Sequence, residues 1–210
     1  MAAGDTTVGS TPRSSTWPPF GTSSTTSRFT SVEERDVVGI RDKTLLMIPA
    51  YTAARAGAVA KLRTMDYVTD GRAWSFLFGE KGGNLHQVPV RHDLQLQMER
   101  YLKATGLEGM TDKSPLFRTA RRRKRELTDR GLNGNNLLRI VKRRLKGAGL
   151  PESAFCCHSF CATTATNLLK RKVAREQVQY LLGHSDARTT DLYNRTDKEV
   201  TRNIVERISL

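Results

Sequence analysis

The stretch WSFLFGEKGGNLHQVPV, residues 74–90, decides the fold class, because the apolar period shortens there from helical to extended. Trp74 to Phe78 reads as a strand, Gly82-Gly83 as a turn, and Leu85 to Val90 as a returning strand closed by Pro89. Asp66 to Val68 supplies a third, short strand. Outward from this hairpin the periodicity is helical. Val37 to Ala50 predicts a helix that Pro49 should kink or end, and Ala53 to Met65 a second, Ala-rich one. Leu94 to Lys103 predicts another, stopped near Gly106. Residues 109–131 read as loop. Asn135 or Asn136 then caps a helix with Leu138, Val141 and Leu145 on its apolar face, ending around Gly147 and Gly149. Further helices are expected at Ser159 to Lys170, Ala174 to Leu182, Thr189 to Arg195 and Glu199 to Ile208. The expectation is a mostly α protein with a small antiparallel β-sheet (α+β).

Composition adds a partner class. A formal net charge of +14 favours polyanions, because each neutralised phosphate releases counterions. The charge is blocked: Arg121, Arg122, Arg123, Lys124 and Arg125 form one run, and Lys142, Arg143, Arg144 and Lys146 another. Such runs are also found as plain solvated segments. Ser and Thr make up nearly half of the first thirty residues, with Pro12, Pro18 and Pro19 among them. That composition buries too little to offset its ordering entropy, so residues 1–35 are expected to be disordered and 36–210 to form one domain. Few arginines and no amphipathic period argue against a transit peptide. No apolar run approaches the roughly 20 residues of a membrane span. Cys156, Cys157 and Cys161 are odd in number and clustered without a matching ligand pair. They make neither a disulfide framework nor a zinc site, which fits a reduced, cytoplasmic setting. No metal or cofactor is expected.

Five residues could carry chemistry. Arg55 ends Tyr51-Thr52-Ala53-Ala54-Arg55, and Lys81 sits at the hairpin tip in Glu80-Lys81-Gly82-Gly83. His158 is three residues before Cys161 and would share a helix face with it. His184 follows Leu182-Gly183, and Tyr193 follows Thr189-Thr190-Asp191-Leu192. Singly, each has a plain structural reading: a snorkelling arginine, a solvated lysine, satisfied histidines, a core tyrosine. His86 and His92 fit no role and read as surface residues.

In order and spacing the set resembles the catalytic domain of the tyrosine recombinases, the phage integrase family. Ala54-Arg55 with Leu62-Arg63 and Asp66 resembles the first-arginine box. Glu80-Lys81-Gly82-Gly83 with Val88-Pro89 resembles the lysine hairpin, and Leu182-Gly183-His184-Ser185 with Tyr193 the most diagnostic box. The resemblance covers roughly residues 37–210. It implies a catalytic-domain-like fold that breaks and rejoins double-stranded DNA through a 3′-phosphotyrosyl link on Tyr193, conserving bond energy for religation. Arg55 would clamp the phosphate bidentately, and Lys81 would protonate the leaving 5′-oxygen. His158 would serve as base or phosphate donor and His184 as a hydrogen-bond donor. The two basic blocks would hold backbone phosphates, which position rather than specify.

Three departures qualify the implied activity. Cys161 stands where the family places a second phosphate-clamping arginine. No N-terminal DNA-binding domain is read before the catalytic region, which suggests a truncated or remnant gene, or a product whose start is misplaced. Ala58 stands where many relatives carry an acidic residue supporting the first arginine. Two readings follow: a recombinase or integrase domain weakened at cleavage, or a DNA-binding remnant without chemistry. A generic basic nucleic-acid binder explains the charge but not the ordered motif. Val200, Ile204, Val205 and Ile208 form an amphipathic stripe. The resemblance implies that this tail docks on a neighbouring protomer, as a homo-oligomer or with a recombinase partner, unless it packs in cis.

Overall fold

The computed structural model describes residues 32, 34–79, 85–121, 124–147, 160, 164, 167–169, 171–183, 205–206 and 208. The expected disorder of residues 1–35 therefore falls almost wholly outside the described residues, as does the expected helix from Thr189 to Arg195.

Helix α1 (Val37–Thr52) is the axis of the fold. It starts at Asp36, whose Oδ1 accepts the Gly39 N–H at 2.8 Å. Twelve of its 16 residues are buried, as expected of a helix covered on all sides. Pro49 does not end it: the helix runs three residues further, to Thr52. Beyond Pro49 the Thr52 hydroxyl donates to the Ile48 carbonyl at 2.7 Å and the Thr164 hydroxyl to that of Ala50 at 3.0 Å. The helix then closes on Ala53 in the left-handed region, φ 54°.

The second helical run is shorter than its Ala-rich sequence suggests: α2 spans Ala56–Ala60, followed by a 3₁₀ turn at Thr64–Asp66. Residues 62–65 are diverted into pairing with a distant segment. The Leu62 carbonyl accepts from Leu116, Thr64 donates to Ser114, and Met65 to Asp112, at 2.9–3.0 Å. A propensity of a few tenths of a kcal/mol per residue yields to these tertiary bonds.

Strands β1 (Tyr67–Thr69), β2 (Trp74–Gly79) and β3 (Leu85–Pro89) form the expected antiparallel sheet, in order β1-β2-β3. Helix α3 (His92–Thr105) packs on α1 through Leu94, Gln97, Met98 and Tyr101 and ends at Gly106, φ 67°. Residues 109–131 are not all loop. Arg118–Arg121 (β4) and Glu126–Gly131 (β5) form a second hairpin around the arginine block. Its polar strands lack a hydrophobic signature. They are held by a 2.5 Å Thr119–Thr128 hydroxyl contact and by the Arg41 guanidinium on the Arg118 carbonyl at 2.8 Å.

Helix α4 (Gly134–Gly147) is capped by Asn133, whose Oδ1 accepts the Asn136 N–H at 2.8 Å, rather than by Asn135 or Asn136. Its buried face is Leu137, Ile140, Val141 and Leu145, so Leu138 lies only at the margin. Residues 160, 164 and 167–169 are helical, and α5 spans Arg175–Leu181. Among the described residues the protein is thus mostly helical with two small antiparallel sheets.

The C-terminal segment returns to the same core. Val205 and Ile208 are fully buried against this chain. Glu206 accepts the His92 N–H at 2.8 Å, capping α3 from the tail, and pairs with Arg91 at 3.3 Å. Arg91 also donates to the Ile208 carbonyl at 3.0 Å and lies 4.9 Å from the Tyr51 ring centre.

One charged cluster ties α1 to α4. Asp42 has no solvent exposure, yet Oδ1 accepts from Arg41 at 2.6 Å and Oδ2 from Arg143 at 3.0 Å and Arg144 at 2.8 Å. Removing the carboxylate would leave three guanidiniums facing one another. Asp42→Ala is therefore expected to lower unfolding free energy by about 3–5 kcal/mol, measured by urea denaturation. A loss below about 1 kcal/mol would show that solvent already screens the cluster.

Candidate nucleic-acid interface and active site

Arg55 is the member of the ordered set that the structure describes. It is exposed, at the N-cap of α2, in extended conformation (φ −65°, ψ 142°). Its carbonyl accepts the N–H groups of Ala58 at 2.9 Å and Val59 at 3.1 Å, so the backbone beneath the side chain is fixed. Among the described residues the guanidinium has no hydrogen bond or ion pair, leaving its fork free for an anion. Ala58, half-buried beside it, offers no carboxylate. The seat of α2 is set by a glycine contact: a Cβ on Gly134 would lie 3.3 Å from the Gly57 Cα.

Lys81, His158, Cys161, His184 and Tyr193 lie outside the described residues, as do Arg122 and Arg123. Their flanks are described. Gly79 and Leu85 bracket the lysine hairpin, and Gly183, φ 59°, ends the turn after α5 immediately before His184. Three tyrosines elsewhere are poor nucleophiles. Burial pushes the phenols of Tyr51, Tyr67 and Tyr101 up, and for Tyr51 the 2.6 Å hydrogen bond to Asp93 adds to it.

The basic residues divide into two kinds. Arg121, Lys124 and Arg125 stand exposed on the β4–β5 hairpin, Arg125 with φ 54° and 3.0 Å from Asp36. Lys142 is half-buried on α4, whereas Arg143 and Arg144 are engaged by Asp42. Between the hairpin, the start of α1 and α4 lies a cleft of ≈ 340 Å³. Arg41, Arg125, Arg139, Arg143 and Arg144 line it, with Asp36 at its rim. Arg139 was missed by the block reading because it stands alone in sequence. Its place four residues before Arg143, on the same face of α4, is the signal that finds it. The Asn136 carboxamide oxygen holds the Arg139 guanidinium at 2.5 Å.

Sequence reasoning also misplaced His86. It is half-buried on β3, its Nε2 is 3.2 Å from the Leu181 carbonyl, and its ring meets Tyr180 edge-on at 5.2 Å. Among the described residues no cluster of His, Cys, Asp or Glu could hold a metal ion. None of their helices is long and apolar enough to cross a membrane.

This architecture is that of the tyrosine recombinase catalytic domain. An integrase from mycobacterium phage Brujita superimposes with TM-score 0.67 at 17% identity, covering 95% of this chain and 60% of that one. The XerH site-specific recombinase, solved in a pre-cleavage complex bound to its difH substrate, superimposes with TM-score 0.64 at 20% identity, covering 83% of this chain and 49% of that one. Residues 22–200 match the phage integrase family, and the chain belongs to it. Similar relatives include the tyrosine recombinase XerA of Pyrococcus horikoshii, 29% identical over 81% of this chain and 56% of the relative. XerC of a Methylobacterium species is 30% identical over 77% of this chain and 48% of the relative. The chain thus spans about half the length of the curated relatives it matches.

The glycine contact gives a local test of how Arg55 is seated. Gly134→Val is expected to wedge α2 from α4 and cost about 1–3 kcal/mol. Gly147→Ala, at a position where an added Cβ meets nothing within 4 Å, is expected to be neutral or slightly stabilising. Thermal unfolding of both variants checks the pair, and equal melting temperatures would refute the wedge.

Proposed function

We propose that this chain is the strand-exchange domain of a site-specific DNA recombinase or integrase, with Tyr193 as nucleophile and cleavage slowed by Cys161. The observation that carries the reading is Arg55: a free guanidinium on a fixed helix N-cap, in a chain of this family. Lys81, His158, His184 and Tyr193 follow it in the family's order.

The chemistry follows from the residue types. The tyrosine oxygen attacks phosphorus as His158 takes its proton, the P–O5′ bond breaks, and the 5′-oxygen takes a proton from Lys81. The phosphate stays on Tyr193 until a 5′-hydroxyl reverses the step. Charge on the non-bridging oxygens is met by Arg55, with His158 and His184 as further donors. A thiol at position 161 offers neither a full positive charge nor a fork. Losing one such donor costs on the order of 10²–10³ in rate.

A nicked duplex carrying a site selected by this chain from a random-sequence pool tests the reading. A covalent protein–DNA adduct should form, vanish in Tyr193→Phe, and form about 10²–10³ faster in Cys161→Arg. Selective DNA binding with no adduct, even in Cys161→Arg, would instead establish the alternative of a DNA-binding remnant without chemistry.

DNA contact is assigned to the basic hairpin and to the basic residues of α4, Lys142 among them. Lys124→Ala and Lys142→Ala are each expected to reduce the slope of log affinity against log salt by about 0.9. Fluorescence anisotropy across a salt series measures it, and an unchanged slope in both variants would remove these residues from the interface. Assembly through the C-terminal segment, with a second copy or a recombinase partner, would require Glu206 and Ile208 to leave their bonds to Arg91 and His92.

A further inference from the structure

We propose that His86 is a positioning residue for the Leu182-Gly183-His184-Ser185 box, acting through the helix end that precedes it. The proposal rests on the recombinase reading above. A carbonyl can only accept, so the 3.2 Å contact fixes Nε2 of His86 as the donor to Leu181. The bond spans 95 positions of sequence.

Its location gives it consequence. The last carbonyls of a helix lack intrahelical donors, and side chains that supply one act as C-terminal caps. In α5 the Val178 carbonyl accepts from Leu182 and that of Tyr180 from Leu182 and Gly183. For Leu181 the described donor comes from the sheet. Leu181 is itself fully packed, and the chain turns at Gly183 with φ 59°. The helix end from which the box departs is thus held from outside the helix.

The same residue sits on the strand that leaves the lysine hairpin. His86 pairs with Phe78 across β2, whose face carries buried Phe76 and Phe78. The sheet side of the bond is therefore rigid, and Tyr180 closes over the imidazole edge-on at 77°. One side chain joins the strand five residues after Lys81 to the helix end three residues before His184. A reacting group misplaced by about 1 Å can cost on the order of 10²-fold, so such a joint acts on the chemical step rather than on DNA affinity.

Two variants separate the donor from the packing. His86→Phe keeps a ring against Tyr180 and removes the donor, whereas His86→Gln keeps a donor and removes the ring. Single-turnover adduct formation is measured at saturating nicked duplex, in both the native and the Cys161→Arg full chain. His86→Phe is expected to slow it at least about tenfold with Kd unchanged, and His86→Gln to stay within about threefold of the parent. In the free protein, amide hydrogen exchange at residues 181–183 should accelerate in His86→Phe alone, without acceleration across α1. A parent-like rate in His86→Phe, or equal slowing in both variants, overturns the proposal while leaving the recombinase reading intact. Absence of any Tyr193-dependent adduct in both parent chains overturns the reading and the proposal together.

Discussion

A single buried carboxylate sets the geometry on which the rest depends. Asp42 has no contact with water, and a lone carboxylate in that position would be strongly disfavoured. Three arginines from two helices answer it, and Arg41 extends the cluster to the Arg118 carbonyl of the hairpin. Apolar side chains in the same volume would often be as stable, but apolar packing tolerates sliding. Directional bonds from Arg143 and Arg144 to Oδ2 fix the rotation and register of α4 on α1, while Arg41 of α1 itself holds Oδ1. At the other end of α1 the chain turns through Ala53 into the short helix that presents Arg55, and Gly57 meets Gly134 at the start of α4. The cluster thus seats α4 on α1 and the glycine contact seats α2 on α4, with Arg55 between Asp42 and Gly57 in sequence.

Legibility in sequence follows the physics of each element. The β2–β3 hairpin was readable because aromatic and apolar residues alternate around Gly82-Gly83 and the buried face is unambiguous. The β4–β5 hairpin was not. Arg-Thr-Ala-Arg and Glu-Leu-Thr-Asp-Arg-Gly have no apolar face, and the hairpin is ordered by a threonine pair and by bonds from elements over 70 residues away. Helix α1 was foreseen, but Pro49 looked like its end because the bonds from Thr52 and Thr164 are invisible to local propensity. The run after Ala53 looked helical because nothing local reveals that residues 112–116 claim its backbone.

The candidate site was read in a different way. On the recombinase reading its residue types are set by phosphate chemistry, and five of them in order carry information that none holds alone. Arg55 could be placed from its box and is found exposed on a fixed turn. What the sequence hid are residues acting through others. His86 resembles a surface histidine until its carbonyl partner, 95 positions away, is known. Asn133 looks no different from Asn135 and Asn136 until the helix start is fixed to the residue.

Charge is the remaining quantity that sequence overstates. A net +14 suggests a broad cationic face, yet its arginines are not equivalent. Arg144 and Arg143 share the buried oxygen of Asp42, where the effective dielectric is low and the attraction weakly screened. Arg143 commits Nη2 to that oxygen, and Arg144 commits Nε and Nη2. Arg125 has only an exposed pairing with Asp36, of the kind worth under about 1 kcal/mol, so it can exchange one anion for another. Arg55, Arg121, Lys124 and Lys142 have no ion-pair partner among the described residues and need exchange nothing. On the proposed DNA-binding reading, counterion release would come mainly from the hairpin, Lys142 and Arg55, with the Asp42 arginines adding field and rigidity.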